Sequence, residues 1–488
     1  MSATRTVPTM QTFRLGADVV DIDVLVADAR DRFHLEFADG VEDALRANSA
    51  LAAALSAEGV AYGRTTGVGA NRDVPADDHD GGHGLRLVRS HSTGHGDDLG
   101  EAVARGTMVV RLAQLSIPGS GIPFEVVDAL RRAANDGRTP VVREFGAMGT
   151  GDIAPLAELA LCLLGERPWR DGTVAQYLDH VEGSGALSFI SSSAATLALA
   201  AHGAVAVRSF MDASLRVAAL GAAAVHSNPQ QWSPGAVATR PSPGVDRACR
   251  AMREVLDGGT WRPARTQDPL SWRVIPFLAG PALDVADDLA AELRSAIGAG
   301  AENPRYTEQG VVHHGSFNLT SVGLRLDVVR LALVQWSSAS LARLVKLNDP
   351  AYTDGGRFLA EGPAGSSGLM VLEYTAGSAL ETVRTLADPT SRHTASISLG
   401  TEDHATFATR GAAALVEQVK AARVVAACEL VAAVRAARRR EQSELGEGVR
   451  SLLAACDELP TSTDDRPLVD DLDLAVRIVE QLGRAAWV

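Results

Sequence analysis

Cysteine is scarce in this chain, with four residues among 488, and long uncharged apolar runs are absent. The cysteines lie far apart and none forms a CxxC pair, which argues against a disulfide framework or a zinc site of paired thiolates. We expect them to be reduced residues that fill the core. No run of about 18 apolar residues predicts a membrane span. The N-terminal segment also lacks the apolar centre of a signal peptide, so the expected location is the cytoplasm.

Positive charge is also in deficit, because 46 Lys and Arg residues face 60 Asp and Glu residues, a formal net charge of −14. Such a surface repels phosphate backbones, so nucleic acid is not an expected partner. The local exception is a basic cluster formed by Arg438, Arg439 and Arg440, with Arg435 one turn earlier. This pattern is typical of a solvated helix end, where cations stabilise the last carbonyl groups.

Apolar periodicity predicts a mainly α protein. Residues 1–193 mix short helices with Gly- and Pro-rich turns, whereas residues 194–488 have the composition of long helices. In residues 321–347, apolar side chains recur at helical spacing: Val322, Leu326, Val329, Leu333 and Trp336. A further long helix is expected over residues 412–440. We therefore predict a mixed N-terminal domain, 1–193, and a long helical bundle, 194–488.

Two glycine-containing segments near the N-terminus carry candidate functional residues. Residues 62–69 (YGRTTGVG) form a loop in which glycines let the backbone approach a ligand closely. Tyr62 is a packed aromatic on the ordinary interpretation, and it becomes a candidate base if a nearby cation such as Arg64 lowers its pKa. Residues 89–96 (RSHSTGHG) set Ser90 and His91 among small residues, which suits either an exposed turn or an accessible polar pocket.

A third segment, residues 146–157 (GAMGTGDIAPLA), places three glycines before an acidic residue and an apolar helix. Asp152 fits the N-cap of that helix, since its carboxylate can accept unpaired backbone N–H groups. The tripeptide Gly149-Thr150-Gly151 also has the composition for backbone self-cyclisation. A glycine nitrogen is unhindered enough to attack the carbonyl two residues back, and the hydroxyl residue between them can be dehydrated.

Two later segments complete the candidates. Residues 267–273 (QDPLSWR) end in Arg273, which either clamps a carboxylate through two parallel hydrogen bonds or is a solvated surface residue. Residues 401–404 (TEDH) are on their own typical of a helix-capping cluster. The adjacent His313 and His314 lack a suitable partner at helical spacing, so no metal site is expected. The glycine-rich segments do not follow a strand in a βαβ unit, so no nucleotide site is expected either.

The order of these motifs resembles that of one known family. YGxTTGxG, SHxxGxG, GxxGxGDxAPLA, QDPxSxR, GSFN and EDH follow one another from Tyr62 to His404, much as the landmarks do in histidine and aromatic amino-acid ammonia-lyases. The resemblance covers nearly the whole chain and implies a helical fold of the aspartase/fumarase type. It also implies a small-molecule substrate and a homotetramer whose active sites combine residues of several subunits.

The same resemblance implies roles for individual residues. In that family an Ala-Ser-Gly tripeptide cyclises into a methylidene-imidazolone, a self-formed electrophile, and no external cofactor is needed. Tyr62 resembles the base that removes the β-proton, and Arg273, in a motif that begins with Gln267, resembles the arginine that grips the substrate carboxylate. Phe317 is similar to an aromatic residue near the prosthetic group, and Glu402 to the acidic residue that contacts the amine or side chain.

The pair Ser90-His91 resembles the selectivity pair of histidine lyases, which favours a polar or imidazole-like substrate. Other positions depart from the family. Between Gly146 and Asp152 the chain is one residue shorter, and Thr150 in the second place of the tripeptide would leave a methyl group on the alkene, giving a weaker electrophile. The other departures are Ser191 near the asparagine of LNGTQ, Leu270 for the tyrosine of QDPYS, and Asn318 for the histidine of GNFH.

Three functions are compatible with these residues. The first is an enzyme on this scaffold without the methylidene-imidazolone, in which Tyr62, Arg273 and Glu402 perform acid–base elimination, addition or cyclisation on an amino acid or an amino-acid-derived metabolite. The second is a conventional ammonia-lyase or aminomutase in which Gly149-Thr150-Gly151 does form the group. The third is a catalytically silent paralogue that binds a partner, although a silent scaffold has no chemical need for all three polar side chains.

Overall fold

The computed structural model of the protein describes residues 11–26 and 33–484. Helices make up 59% of the chain, which confirms the predicted mainly α fold. The chain divides into two compact units, one of residues 1–202, 290–326 and 389–413 and the other of residues 203–289, 327–388 and 414–488. Each unit is therefore built from separated stretches, whereas the sequence predicted two continuous domains, 1–193 and 194–488.

Eighteen helices and six strands occur in the described residues, 11–26 and 33–484. The strands are β1 (Gln11–Leu15), β2 (Phe33–Phe37), β3 (His95–Asp98), β4 (Arg143–Phe145), β5 (Arg305–Thr307) and β6 (Gly310–Val312). The helices are α1 (Ile22–Val26), α2 (Val41–Glu58), α3 (His83–His91), α4 (Glu101–Leu115), α5 (Phe124–Asn135), α6 (Ile153–Leu163), α7 (Gly183–Ile190), α8 (Ala194–Ala224), α9 (Pro234–Thr239), α10 (Pro243–Leu256), α11 (Leu270–Arg273), α12 (Ile275–Ile297), α13 (Thr320–Leu347), α14 (Pro350–Thr353), α15 (Met370–Thr385), α16 (Ala408–Ala437), α17 (Glu447–Ala455) and α18 (Val469–Arg484).

The strands form three small two-stranded sheets, all in the first unit. β1 and β2 pair in parallel, whereas β3 pairs with β4, and β5 with β6, in antiparallel fashion. Pairs this short are only marginally stable by themselves, so packing against helices must hold them. Their role is to fix the loops that lie between helices.

Four long helices, α8, α12, α13 and α16, contain four of the five boundaries between the two units. The predicted helix over residues 321–347 is confirmed as α13, and the five apolar residues of its predicted stripe are at most 1% exposed. α16 occupies most of the predicted helix 412–440 and begins four residues earlier, at Ala408. All four cysteines are buried and free, as expected for packing residues.

The second unit contains a fully buried ion pair. Arg343 of α13 donates to both carboxylate oxygens of Glu429 of α16, over 2.6 and 2.9 Å, and Ser340 donates to the same carboxylate. Both charged side chains are at most 1% exposed. Because the charges are removed from water, the pair depends on this complete set of donors.

Two helical stretches of the described chain, Gly185–Ala224 and Thr320–Leu347, are long and apolar enough to cross a membrane by length and composition. The sequence pattern predicted no membrane span. The most apolar window is 83% buried within the folded chain in the first stretch and 50% buried in the second. Core helices of soluble proteins have the same composition, so the two stretches are weak evidence for a span.

Candidate active site

A cavity of about 500 Å³ lies in the first unit. Its volume is within the range of small-molecule sites. Most of the residues singled out from the sequence line it: Tyr62, Ser90, His91, Thr150, Gly151, Ser191, Phe317 and Glu402. Side chains from segments more than 300 residues apart in the sequence therefore meet at one place. Gly149 and Asn318 are not in the lining: Gly149 directly precedes Thr150 in the chain, and Asn318 pairs with Thr150.

Tyr62 lies at the start of a loop that folds back on it. The Gly69 N–H donates a hydrogen bond of 2.7 Å to the Tyr62 hydroxyl oxygen. Burial raises the pKa of the Tyr62 phenol, and the nearby Glu402 carboxylate raises it further, while the Gly69 N–H and Arg72 oppose this rise. At neutral pH the resting phenol is therefore protonated.

The expectation that Arg64 lowers the pKa of Tyr62 is wrong. The Arg64 guanidinium lies over the ring of Tyr306, with 5.7 Å between its central carbon and the ring centroid. This cation–π contact stabilises the Arg64 guanidinium in its position over Tyr306. The pKa of Tyr62 is raised and not lowered, so any cation that activates it as a base must come from elsewhere.

Ser90 and His91 end helix α3. The Nδ1 atom of His91 lies 2.8 Å from the Leu87 carbonyl oxygen and 3.0 Å from the Ser90 hydroxyl. Because a carbonyl only accepts hydrogen bonds, Nδ1 carries the proton of the neutral ring, and Nε2 is left as the basic nitrogen. This tautomer suits a role as hydrogen-bond acceptor for a substrate.

Hydrogen bonds hold the Gly149-Thr150-Gly151 tripeptide from both sides. The Gly149 carbonyl accepts from the Leu319 N–H, at 3.1 Å, and from the Thr406 hydroxyl, at 2.9 Å. The Thr406 N–H donates to the Thr150 hydroxyl oxygen at 3.2 Å. The Gly151 N–H donates to the Ser193 hydroxyl, also at 3.2 Å, and an isolated β-bridge pairs Thr150 with Asn318.

Closure of a methylidene-imidazolone ring would involve two backbone groups of this arrangement. The ring forms when the Gly151 nitrogen attacks the Gly149 carbonyl carbon, and here the Gly151 N–H and the Gly149 carbonyl oxygen are both engaged in hydrogen bonds. The packing around Gly149 is also tight, with a φ of +71°, and a Cβ there would overlap the Thr406 hydroxyl and lie 2.8 Å from the Ala408 Cβ. The loop therefore has no room for the alanine that begins the family's tripeptide.

Asp152 occupies the N-cap position of α6, as the sequence predicted, but its side chain makes no capping hydrogen bond there. Its carboxylate instead accepts hydrogen bonds from the N–H of Thr196, at 2.6 Å, and from the Thr196 hydroxyl, at 2.9 Å. The acid thus binds the first turn of α8, where an anion is favoured. Complete burial raises the pKa of Asp152 to about 6 even though these bonds oppose the rise.

The segment that carries Glu402 brings in a histidine that the sequence treated only as part of a capping cluster. His404 also lines the cavity, and its Nδ1 lies 3.2 Å from the Asn318 side-chain nitrogen. The Asn318 oxygen accepts from the N–H and hydroxyl of Thr320, which fixes the amide so that its NH₂ faces His404. In the neutral ring the proton then lies on Nε2, and His404 can donate to a ligand.

Three further contributors to the site escaped the sequence inspection: Ser193, Thr406 and Asn303. Ser193 donates to the Phe317 carbonyl at 2.8 Å while accepting from Gly151, and Asn303 lines the cavity. Small polar residues such as these do not recur at a spacing that would mark them as site residues in the sequence. The only available signal was the position of Thr406 two residues after the EDH motif.

Gln267 and Arg273 lie in the second unit and are not among the residues that line the cavity. Arg273 donates to the Gln267 side-chain oxygen at 2.8 Å and is half-buried. Among the described residues that line the cavity none is Lys or Arg. Nor do the residues of ranges 11–26 and 33–484 contain a group of three or more His, Cys, Asp or Glu side chains placed to hold a metal ion.

Comparison with known proteins gives a consistent result. The sequence profile of the family described as "Aromatic amino acid lyase" matches residues 20–458. Histidine ammonia-lyase of Symbiobacterium thermophilum is 29% identical over 441 residues, 86% of each chain. That of Sorangium cellulosum is 29% identical over 465 residues, 89% of this chain and 90% of the relative.

Solved structures share the fold at lower identity. The ergothioneine-degrading enzyme Ergothionase from Treponema denticola superimposes with a TM-score of 0.91 at 22% identity, covering 97% of this chain and 99% of that one. Tyrosine aminomutase from Streptomyces globisporus gives 0.88 at 21% identity, with 97% of both chains covered. These likenesses establish the helical fold along almost the whole length.

Proposed function

The chain belongs to the aromatic amino acid lyase family, and from that premise we propose an acid–base elimination or addition at an amino acid or an amino-acid-derived metabolite. Relatives named histidine ammonia-lyase are C–N lyases, and this chain is an enzyme of that kind. The observation that carries the proposal is the lining of the 500 Å³ cavity, which combines a phenol, a carboxylate and two imidazoles. Such groups exchange protons with a substrate without an external cofactor.

Tyr62 is the proposed base. Its phenolate would take the β-proton, the C–H electron pair would form the new double bond, and the leaving group would depart with the electrons of the broken C–N bond. Two features support this role: the Gly69 N–H already donates to the phenol oxygen, and a substrate cation beside Glu402 would oppose the burial that raises the pKa of Tyr62. Glu402 is proposed to bind the amine, and His91 or His404 a polar side chain.

We propose that this chemistry proceeds without the methylidene-imidazolone. Support comes from the hydrogen bonds that engage the Gly151 N–H and the Gly149 carbonyl oxygen, the two backbone groups that ring closure would involve. Without that electrophile the reaction depends on a substrate whose leaving group departs readily or whose proton is unusually acidic. The alternative, a conventional ammonia-lyase or aminomutase, is favoured by one observation, that Thr150 and Gly151 line the same cavity as Tyr62.

The site is proposed to be completed by another subunit of a cytoplasmic homotetramer. A substrate carboxylate needs a cation, and the described lining offers neither Lys nor Arg. Arg273 and Gln267 carry the family's carboxylate-binding motif and lie outside the lining of the cavity in their own chain. Delivery of Arg273 from a neighbouring subunit would supply both the carboxylate clamp and, beside Arg72, a second cation to lower the pKa of Tyr62.

The test replaces the Tyr62 phenol and follows turnover. Wild type, Tyr62→Phe and Tyr374→Phe would be screened against amino acids, including histidine, and their N-methylated and acylated derivatives, with mass spectrometry of the products. Tyr374 is 71% exposed and serves as the matched control. Loss of general base catalysis reduces kcat by roughly 10²–10⁴-fold in Tyr62→Phe, while the control keeps its activity. Full activity in Tyr62→Phe would contradict the proposal, and so would a wild type that binds such compounds but turns over none, as in a silent paralogue.

A further inference from the structure

We propose that the second unit contains a separate binding site for a small phosphate monoester. The site, here called the arginine cavity, is an opening of about 460 Å³ lined by Glu361, Val431, Val434, Arg435, Arg438, Arg439, residues 459–461, Thr463 and Asp471. All of these residues belong to the second unit. The cavity is therefore distinct from the one lined by Tyr62 and Glu402.

Arg435 lies in the last turn of α16, and Arg438 and Arg439 follow its last residue, Ala437. Their spacing at positions 435, 438 and 439 puts them on one side of a helix. The sequence favoured a solvated helix end here, and that interpretation is wrong for Arg435, which is only 8% exposed and lines the cavity. Exposed cations are enough to stabilise the C-terminal end of a helix, so this role does not explain why Arg435 is buried.

Arg435 lacks a complete set of partners. Its Nη2 atom is buried without a hydrogen-bond partner, and burial together with Arg466 lowers the pKa of the guanidinium, while Asp471 and Asp465 oppose this change. The nearest carboxylates are engaged elsewhere: Asp471 binds Arg466 through both oxygens, and Asp465 accepts from the N–H groups of residues 367 and 368. A buried cation with an unpaired donor is costly, so this position is suited to an anion.

The other two arginines are already fixed in place. Arg438 donates to the carbonyl oxygens of Cys456 and Leu459, at 2.9 and 2.8 Å. Carbonyls orient its guanidinium without neutralising it. Arg439 is paired with Glu361. With Asp471 matched by Arg466, Arg435 and Arg438 are the two lining arginines that form no ion pair among the described residues, and Asp465 near Arg435 offsets part of their charge.

A doubly charged oxyanion with a small organic group matches this lining. A phosphate monoester supplies about two negative charges at neutral pH and several strong acceptors. Val431, Val434 and Pro460 give the apolar walls for the organic part, and the volume exceeds what bare phosphate fills. The observations thus favour a phosphorylated metabolite over inorganic phosphate.

The experiment is isothermal titration calorimetry of the full-length protein with glycerol 3-phosphate, inorganic phosphate and malonate, at constant ionic strength set with chloride. The variants are Arg435→Met, Arg435→Lys and, as a matched control, Arg477→Met. Arg477 is an exposed arginine of α18 in the same unit, so its loss changes the net charge equally. The Arg435→Met protein should be as stable as wild type, because an apolar side chain replaces a buried unpaired charge.

We expect glycerol 3-phosphate to bind wild type and the Arg477→Met control equally and more tightly than inorganic phosphate or malonate. Arg435→Met should weaken the binding about 10- to 100-fold. Arg435→Lys should retain part of it, because the charge remains and the planar fork is lost. Three results would overturn the proposal: equal affinity in wild type and Arg435→Met, tighter binding of malonate, or no binding of either phosphate compound by a folded wild type.

Discussion

Restoring the alanine that the family carries at the first place of its tripeptide should damage this protein. Gly149 has a φ of +71°, where a Cβ costs about 1–2 kcal/mol. The added carbon would also overlap the Thr406 hydroxyl and come within 2.9 Å of the Ala408 nitrogen, and overpacking of this kind costs about 1–3 kcal/mol. We therefore expect Gly149→Ala to lower the free energy of unfolding by about 2–5 kcal/mol.

Gly172→Ala is the matched control for this substitution. Gly172 has a similar φ of +81°, and no atom lies within 4 Å of the position its Cβ would take. This variant should lose only the backbone term of about 1–2 kcal/mol. Urea unfolding followed by circular dichroism measures both variants. If Gly149→Ala loses no more stability than Gly172→Ala, the tripeptide is not packed against Thr406 and Ala408 as described.

The remaining predictions concern buried charges. The raised pKa of Asp152, about 6 against 3.8, means that the folded state holds a proton that the unfolded state has lost, so stability from this group is full below pH 4 and falls as pH rises to 6. Between pH 3 and pH 7 wild type should lose about 3 kcal/mol more than Asp152→Asn, as measured by urea midpoints, and equal losses would refute the assignment. Glu429→Ala should lower the free energy of unfolding by about 3–5 kcal/mol, because it leaves the buried Arg343 without its partner. The double variant Arg343→Met/Glu429→Met should recover most of that loss. A Glu429→Ala variant as stable as wild type would show that the pair is dispensable.

Periodic features of the sequence predicted the architecture well. The apolar stripe from Val322 to Trp336 is buried along α13, because helical spacing alone decides which face turns inward. The ordered motifs also predicted the cavity, since most of their residues line it. Such patterns are local, or repeat along the chain, and can be recognised without knowing the three-dimensional contacts.

Interactions between distant segments could not be predicted in this way. Arg64 was expected to act on Tyr62 two residues away, but it stacks on Tyr306, which strand β5 brings close. Asp152 was expected to cap α6 and instead binds Thr196 of α8. Arg435 belongs to a charged cluster whose burial depends on the chain near residue 460. In each case tertiary packing determines the partner, and no regular spacing in the sequence indicates which residue it is.

The central claim, that Gly149-Thr150-Gly151 stays an ordinary peptide in a lyase-type site, is tested most directly by intact-protein mass spectrometry of the purified, active protein. The claim predicts the mass of the unmodified sequence, and an unmodified tryptic peptide spanning residues 149–151. A mass lower by two water molecules, located to that peptide, would show that the ring has formed and would contradict the claim.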